Sequence, residues 1–162
     1  MAIVTALSDA FKKELLKGKH DLDTHNIRVA LIKDSPSGSY GSQTLAWSEL
    51  GTNGDHATGN NYAGTYDVRT GGAIANIATD SLFGGGQYPK MDGTVAVIDF
   101  DDAVFSNVTT FADGCILYNE DADTTADVIA VFNFGGTVSA TAGDFTIQFP
   151  APGATTSILR LA

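Results

Sequence analysis

The hydrophobic period of this chain changes once, near Gly18, and that change limits the fold more than any other feature of the sequence. Before it, Leu7, Ala10, Phe11 and Leu15 recur at i, i+3, i+4 and i+8, which places them in one stripe on a helix. Thr5 suits the N-cap, Asp9 sits where a negative charge favours the helix dipole, and Gly18 can supply the left-handed residue that ends a helix. The spacing predicts a helix over residues 5–18, with Lys12, Lys13 and Lys17 largely off its apolar stripe. A helix this short is marginal alone, so Phe11 and Leu15 need a surface to dock on, in the chain's own sheet or in a neighbouring subunit.

Beyond Gly18 the period is two. Ile27, Val29 and Leu31 alternate with Arg28, Ala30 and Ile32, and Phe145, Ile147 and Phe149 alternate with Thr146 and Gln148. Ala96, Ile98 and Phe100 form the inward set of another such run. Ile27, Val29, Leu31, Ile98, Phe100, Ile116, Val131, Phe145, Ile147 and Phe149 make up the expected core. Further strands are expected at 66–70, 73–79, 94–100, 114–119, 127–134, 144–149 and 156–161. Turn dipeptides separate them: Asp92-Gly93, Asp113-Gly114, Gly135-Gly136, then Gly143 and the segment 150–153. About eight short strands with this punctuation predict a mainly β protein, an antiparallel β-sandwich or jelly roll with one short N-terminal α-helix. The expected organisation is a single domain over 1–162, with the sandwich in 26–162 and long polar loops at 34–65 and 80–92.

A chain of 162 residues buries about two thirds of its unfolded surface, enough for a core without disulfides. The lone cysteine, Cys115, stands between Gly114 and Ile116 in strand-like surroundings and reads as a small buried hydrophobe. Residues 1–7 lack the basic start of a secretory leader, and no apolar run approaches the ~20 residues of a membrane span. The expectation is a soluble protein made in a cytoplasm, with no membrane partner.

Charge is divided unevenly. Residues 1–33 hold six basic and four acidic residues, and residues 34–162 hold three basic and fifteen acidic ones. An acidic body repels phosphate, which argues against nucleic acid as a partner. The basic end, with Lys12, Lys13, Lys17 and Lys19, is suited either to solvent or to an acidic protein surface. The loops offer a second kind of contact. Tyr40, Trp47, Tyr62 and Tyr88 are scattered through Ser-, Gly- and Asn-rich sequence, and such aromatics give large contact area at low entropic cost.

Catalytic and metal motifs are incomplete. Asn119, Asp121 and Asp123 mimic the start of a calcium loop, but Thr124 stands where glycine is needed and Ala130 where the closing glutamate belongs. His20, His25 and His56 have no zinc-type spacing, and neither a Gly-x-Ser-x-Gly element nor a phosphate loop is present. Asn107-Val108-Thr109 fits a glycosylation triplet without a secretion signal to support it. The chain is expected to be no enzyme and to carry no cofactor and no metal.

One stretch is more specific. The run Val4-Thr5-Ala6-Leu7-Ser8-Asp9-Ala10-Phe11-Lys12-Lys13-Glu14-Leu15-Leu16-Lys17-Gly18-Lys19-His20-Asp21 resembles the start of a group of small tailed-bacteriophage structural proteins. The strand at 27–32, Gly71-Gly72-Ala73, Val97-Ile98-Asp99-Phe100-Asp101-Asp102, and Gly143-Asp144-Phe145-Thr146-Ile147-Gln148-Phe149-Pro150 with Ile158-Leu159-Arg160 fit the same group. The similarity is weakest over 34–65 and 80–92. The resemblance implies a virion structural protein of the head decoration (capsid cement) type, found on the outer capsid surface. Its implied partners are the major capsid protein and further copies of itself, as a dimer or trimer. The expected partner-binding residues are Lys12, Lys13, Lys17, Lys19, Trp47, Tyr62 and Tyr88. A tail or fibre component, or a carbohydrate- or receptor-binding module using Tyr40, Trp47, Tyr62 and Tyr88, is the alternative.

Overall fold

A computed structural model describes residues 2–22, 24–62, 89–98, 100, 102–150 and 153–162. The protein is mainly β, built from antiparallel sheets with few helices. In chain order the elements are β1 (Ala6–Leu7), α1 (Asp9–Leu16), β2 (Ile27–Lys33), α2 (Ser48–Asn53), β3 (Gly59–Asn60), β4 (Lys90–Asp92), β5 (Val95–Ile98), β6 (Ala103–Asn119), β7 (Val128–Ile147) and β8 (Leu159–Leu161). The larger sheet runs β1-β7-β6-β2, with β3 pairing Thr109 and Thr110 of β6 beyond the end of β2, and the smaller runs β4-β5-β8.

The β6–β7 hairpin is the frame. Its register runs from Tyr118↔Val128 to Ala103↔Ile147, broken by several bulges. It merges what alternation had suggested as separate strands, because Asp113-Gly114 and Gly135-Gly136 are not turns here. Phe134 to Thr137 all stand opposite Asp113, so the two glycines are absorbed in a wide bulge of β7. Gly114 is needed for close approach: a Cβ there would lie 2.4 Å from the Phe132 carbonyl oxygen. Asp92-Gly93 does turn the chain, joining β4 to β5 with Gly93 at φ 62°.

Among the described residues two clusters make the core, one on each face of the larger sheet. Ile27, Val29, Leu31, Phe105, Phe145 and Ile147 pack with Phe11 of α1 and with Ile98 and Leu159 of the smaller sheet. Ala30, Ile32, Ile116, Tyr118 and Val131 pack on the other face with Tyr40 and Leu50. All ten residues expected in the core are buried, but β2 is buried on both faces rather than one. Val97 is buried as well as Ile98 and Phe100, so the alternation expected there does not divide inside from outside.

Three further expectations are corrected. The helix spans Asp9–Leu16, not 5–18, because Ala6 and Leu7 pair with Val131 and Ala130 and hold the preceding segment extended. Ser8 is therefore the N-cap, and the Thr5 hydroxyl accepts the Asn133 N–H instead. The polar stretch from 34 contains α2, β3 and the bridges Ile3↔Tyr40 and Ile32↔His56, which cover the second core cluster. In the stretch expected as a loop at 80–92, the described end is β4. Strands expected at 66–70 and 73–79 lie outside the described residues.

Candidate partner-binding surface

The outer face of α1 is set by helix geometry. Phe11 and Glu14 are buried against the body, which turns Lys12, Lys13, Leu16 and Lys17 outward. At 3.6 residues per turn, Leu16 falls between Lys12 (i−4) and Lys13 (i−3) on that face. It is 90% exposed, the most open large apolar side chain among the described residues. Leu16 lies beside the apolar stripe of Phe11 and Leu15 rather than in it, so periodicity assigned it no role.

The lysines around it are tied down rather than free. Lys12 pairs with Asp9 at 2.6 Å, and both Lys13 and Lys17 lie 3.4 Å from Glu14. Burial raises the Glu14 carboxyl, but these two lysines outweigh it and hold it below the ordinary carboxylate value. Lys19 stands apart from the face and reaches Asp123 at 2.5 Å. The carboxylate raises the Lys19 ammonium, and the ammonium lowers Asp123 in return. Exposed pairs like these are screened by solvent and add little to stability. The surface is thus an apolar centre inside a mixed-charge rim, not a block of uncompensated positive charge.

The aromatic candidates divide. Tyr62 is a core residue, not a surface anchor: its ring packs on Phe105 and its hydroxyl accepts the Leu31 N–H at 3.0 Å. Tyr40 is equally buried, with its hydroxyl donated to Asp55 at 2.8 Å. Trp47 is half-buried, stacked on Tyr118 with ring centroids 5.3 Å apart and tilted against His56. Tyr88 lies outside the described residues. An isolated aromatic in a polar stretch marks here the places where that stretch docks onto the sheet.

The side chains of the acidic turn each have protein partners. The Asn119 side chain is buried among His20, His25 and the Asp121 N–H, while Asp121 accepts from Asn26 and Asp123 from Lys19. Asp127 accepts the Trp47 N–H at 2.8 Å, and burial pushes its carboxyl up to about 6. Among the described residues no group of three or more His, Cys, Asp or Glu side chains is placed to hold a metal ion, and no helix is long and apolar enough to cross a membrane.

Comparison with models of protein families, with curated proteins and with solved structures finds no match to this chain. Fold and surface chemistry, with the resemblance in the sequence, are therefore what a functional reading rests on.

Proposed function

We propose that this protein is a bacteriophage capsid decoration protein that binds the outside of the major capsid lattice and stabilises the head, without catalysis. The observation that carries the reading is the exposed Leu16 within the lysine face of α1, because that helix is also the segment most like the phage group. Interfaces are built from an apolar, well-desolvated centre and a polar rim, and the α1 face has that arrangement on a small scale. A lattice binder needs about 1,200–2,000 Å² of buried surface in total, so a single helix face is one part of the contact. Exposed Phe111 and Val138 on the β6–β7 hairpin offer further apolar area, and self-association as a dimer or trimer would add more. The alternative, a tail component or a sugar-binding module working through loop aromatics, is weakened by the burial of Tyr40 and Tyr62.

The test is co-sedimentation of the purified protein with undecorated heads. Wild type is expected to pellet with heads, and Leu16→Glu to bind about ten-fold more weakly or worse, as for loss of an anchor residue. Leu16 contributes nothing to the core, so melting should be unchanged. Because each lysine of the face already has a carboxylate partner, raised salt should weaken binding only modestly. Failure of the wild type to pellet, or antibody labelling of virions confined to the tail, rejects the capsid role.

A further inference from the structure

Asn119, at the end of β6, is fully buried, and its amide ties the turn after α1 to the sheet. The Asp121 N–H donates to Oδ1 at 3.1 Å, which fixes the amide orientation. Nδ2 therefore faces the Nδ1 atoms of His20, at 3.2 Å, and His25, at 3.0 Å. An amide NH2 only donates, so both ring nitrogens must accept. The Asp21 N–H, donated to the same Nδ1 of His25 at 3.3 Å, requires the same of that ring. Two histidines are clamped by one amide, and the clamp holds only while neither carries a proton on Nδ1.

His20 is the member that cannot take a charge in place. Its ring is 4% exposed and set T-shaped against fully buried Phe11, with centroids 4.9 Å apart. Its Nε2 has no hydrogen-bond partner among the described residues. A cationic His20 would point one N–H at the Asn119 NH2 and bury the other without an acceptor. Glu14 on α1 favours the charged form, but Lys13 and Lys17 already engage its carboxylate. His25 opposes a charge, and the Asp21 carboxylate is taken by Thr24. Across the gap Lys19 pairs with Asp123, and Asp121 accepts from Asn26. Among the described residues the smaller sheet presents only apolar side chains beside His20, including Ala96, Ile98 and Leu159. Burial outweighs Glu14 and holds the imidazole below its ordinary 6.5.

The turn that carries the two histidines is pinned at both ends. The Lys19 carbonyl accepts the Asp123 N–H at 3.3 Å, and the Asn26 carbonyl accepts the Glu120 N–H at 3.0 Å. Between these pins the turn is held down by the Asn119 clamp and by Leu22, which is buried in the first core cluster. We propose that this turn is an acid-released strap: when His20 takes up a proton the Asn119 clamp opens, and His20 and Leu22 lift away from Phe11 while both pins and the β6–β7 hairpin hold. The strap works independently of the capsid reading. Its first pin survives mild acid because Lys19 lowers the Asp123 carboxyl below 3.8. A base lowered in the closed form gains a proton on opening, so closure is complete above 6.5 and weakens as pH falls below it.

The experiment follows thiol labelling of the full chain carrying Leu22→Cys, with dithiodipyridine, between about pH 7 and about pH 4.5. Each rate is divided by that of a small free thiol at the same pH, which leaves the fraction of time the site is open. The introduced thiol, at a position 8% exposed in the wild type, reports the strap, and fully buried Cys115 reports unfolding of the body. The ratio for the introduced thiol is expected to rise by about ten-fold per pH unit below 6.5, one proton being taken up, while that for Cys115 stays low. Adding His20→Phe should flatten the rise. Adding Asn119→Asp should suppress it by the opposite route, since a carboxylate accepts an Nδ1–H, and should move the His20 titration, read by NMR, above 6.5. A ratio that does not change with pH, a rise undiminished by His20→Phe, labelling of Cys115 in step with the introduced thiol, or a His20 titration not raised by Asn119→Asp overturns the proposal.

Discussion

Asp55→Asn tests how the 34–55 segment is held. The Asp55 carboxylate is fully buried and collects five donors. Oδ1 accepts the N–H and the hydroxyl of Ser37, both at 2.9 Å, and lies 3.0 Å from Lys33 Nζ. Oδ2 accepts the Gly38 N–H at 2.7 Å and the Tyr40 hydroxyl at 2.8 Å. Burial pushes this carboxyl up, but the donors outweigh it and hold it far below the ordinary value of 3.8. Asparagine keeps the shape and loses the charge. Whichever way its amide turns, an NH2 group meets a backbone N–H, that of Ser37 or that of Gly38. One orphaned buried N–H costs about 1–3 kcal/mol. Loss of the partly exposed Lys33 partner adds about 1 kcal/mol at most. Urea melts at pH 7 should therefore show Asp55→Asn destabilised by ~1–4 kcal/mol. The pH dependence has a definite sign. A carboxyl lowered on folding stabilises above its unfolded value of 3.8 and loses that contribution as pH falls toward its folded value. The gap between wild type and variant should narrow by about 1 kcal/mol for each pH unit below 3.8. A loss under about 1 kcal/mol at pH 7, or a gap that widens in acid, refutes the account.

Asp127 should behave in the opposite sense. Its carboxyl is raised on folding, so its favourable contribution is complete below 3.8 and is lost as pH rises through about 6. Between pH 4 and pH 7 the wild type should lose ~1–2 kcal/mol relative to Asp127→Asn, a figure reduced for partial solvent screening, and chemical denaturation at the two pH values measures it. Phe145→Ala should cost about 3–5 kcal/mol, because the buried ring meets both Phe105 and Phe134; a calorimetric loss under ~1 kcal/mol would place the ring outside the core. Cys115 is fully buried, and burial pushes its thiol well above the usual range, so a thiol reagent should label it only at the rate of unfolding. Rapid labelling of the native protein would contradict that environment.

The fold was legible where a local pattern is strong. Alternation found the buried sets of β2 and the end of β7, and i, i+4 spacing found α1. What failed has a common cause: signals read as local were answers to distant partners. Gly114 looked like half of a turn, but it is glycine because the Phe132 carbonyl lies against it. Thr5 looked like a cap, but Asn133 claims its hydroxyl. The polar stretch from 34 looked open because its aromatics are sparse, yet Tyr40 and Leu50 seat its first part on the second face of the sheet and Tyr62 seats its end on the first. The candidate surface was half legible. The lysines of α1 stand out by composition, while the exposed Leu16 between them and the link from Lys19 to Asp123 do not. His20 was visible only as a histidine lacking a zinc partner, since its relation to Asn119 spans 99 positions.

The placement of the first residues has a consequence for the order of events during synthesis. Val4 N–H reaches the Tyr40 carbonyl, Ala6 and Leu7 pair with Val131 and Ala130, and Asn133 holds both Ile3 and Thr5. Residues 3–7 therefore cannot take their seats until residue 133 has been made, on the order of 10 s later at ordinary elongation rates. The β6–β7 hairpin, closed by the short turn between Asn119 and Val128, can form as soon as it emerges, and the N-terminal strand then joins it last. A bulky insertion just ahead of β1 burdens that final step, because it is β1 that must find β7.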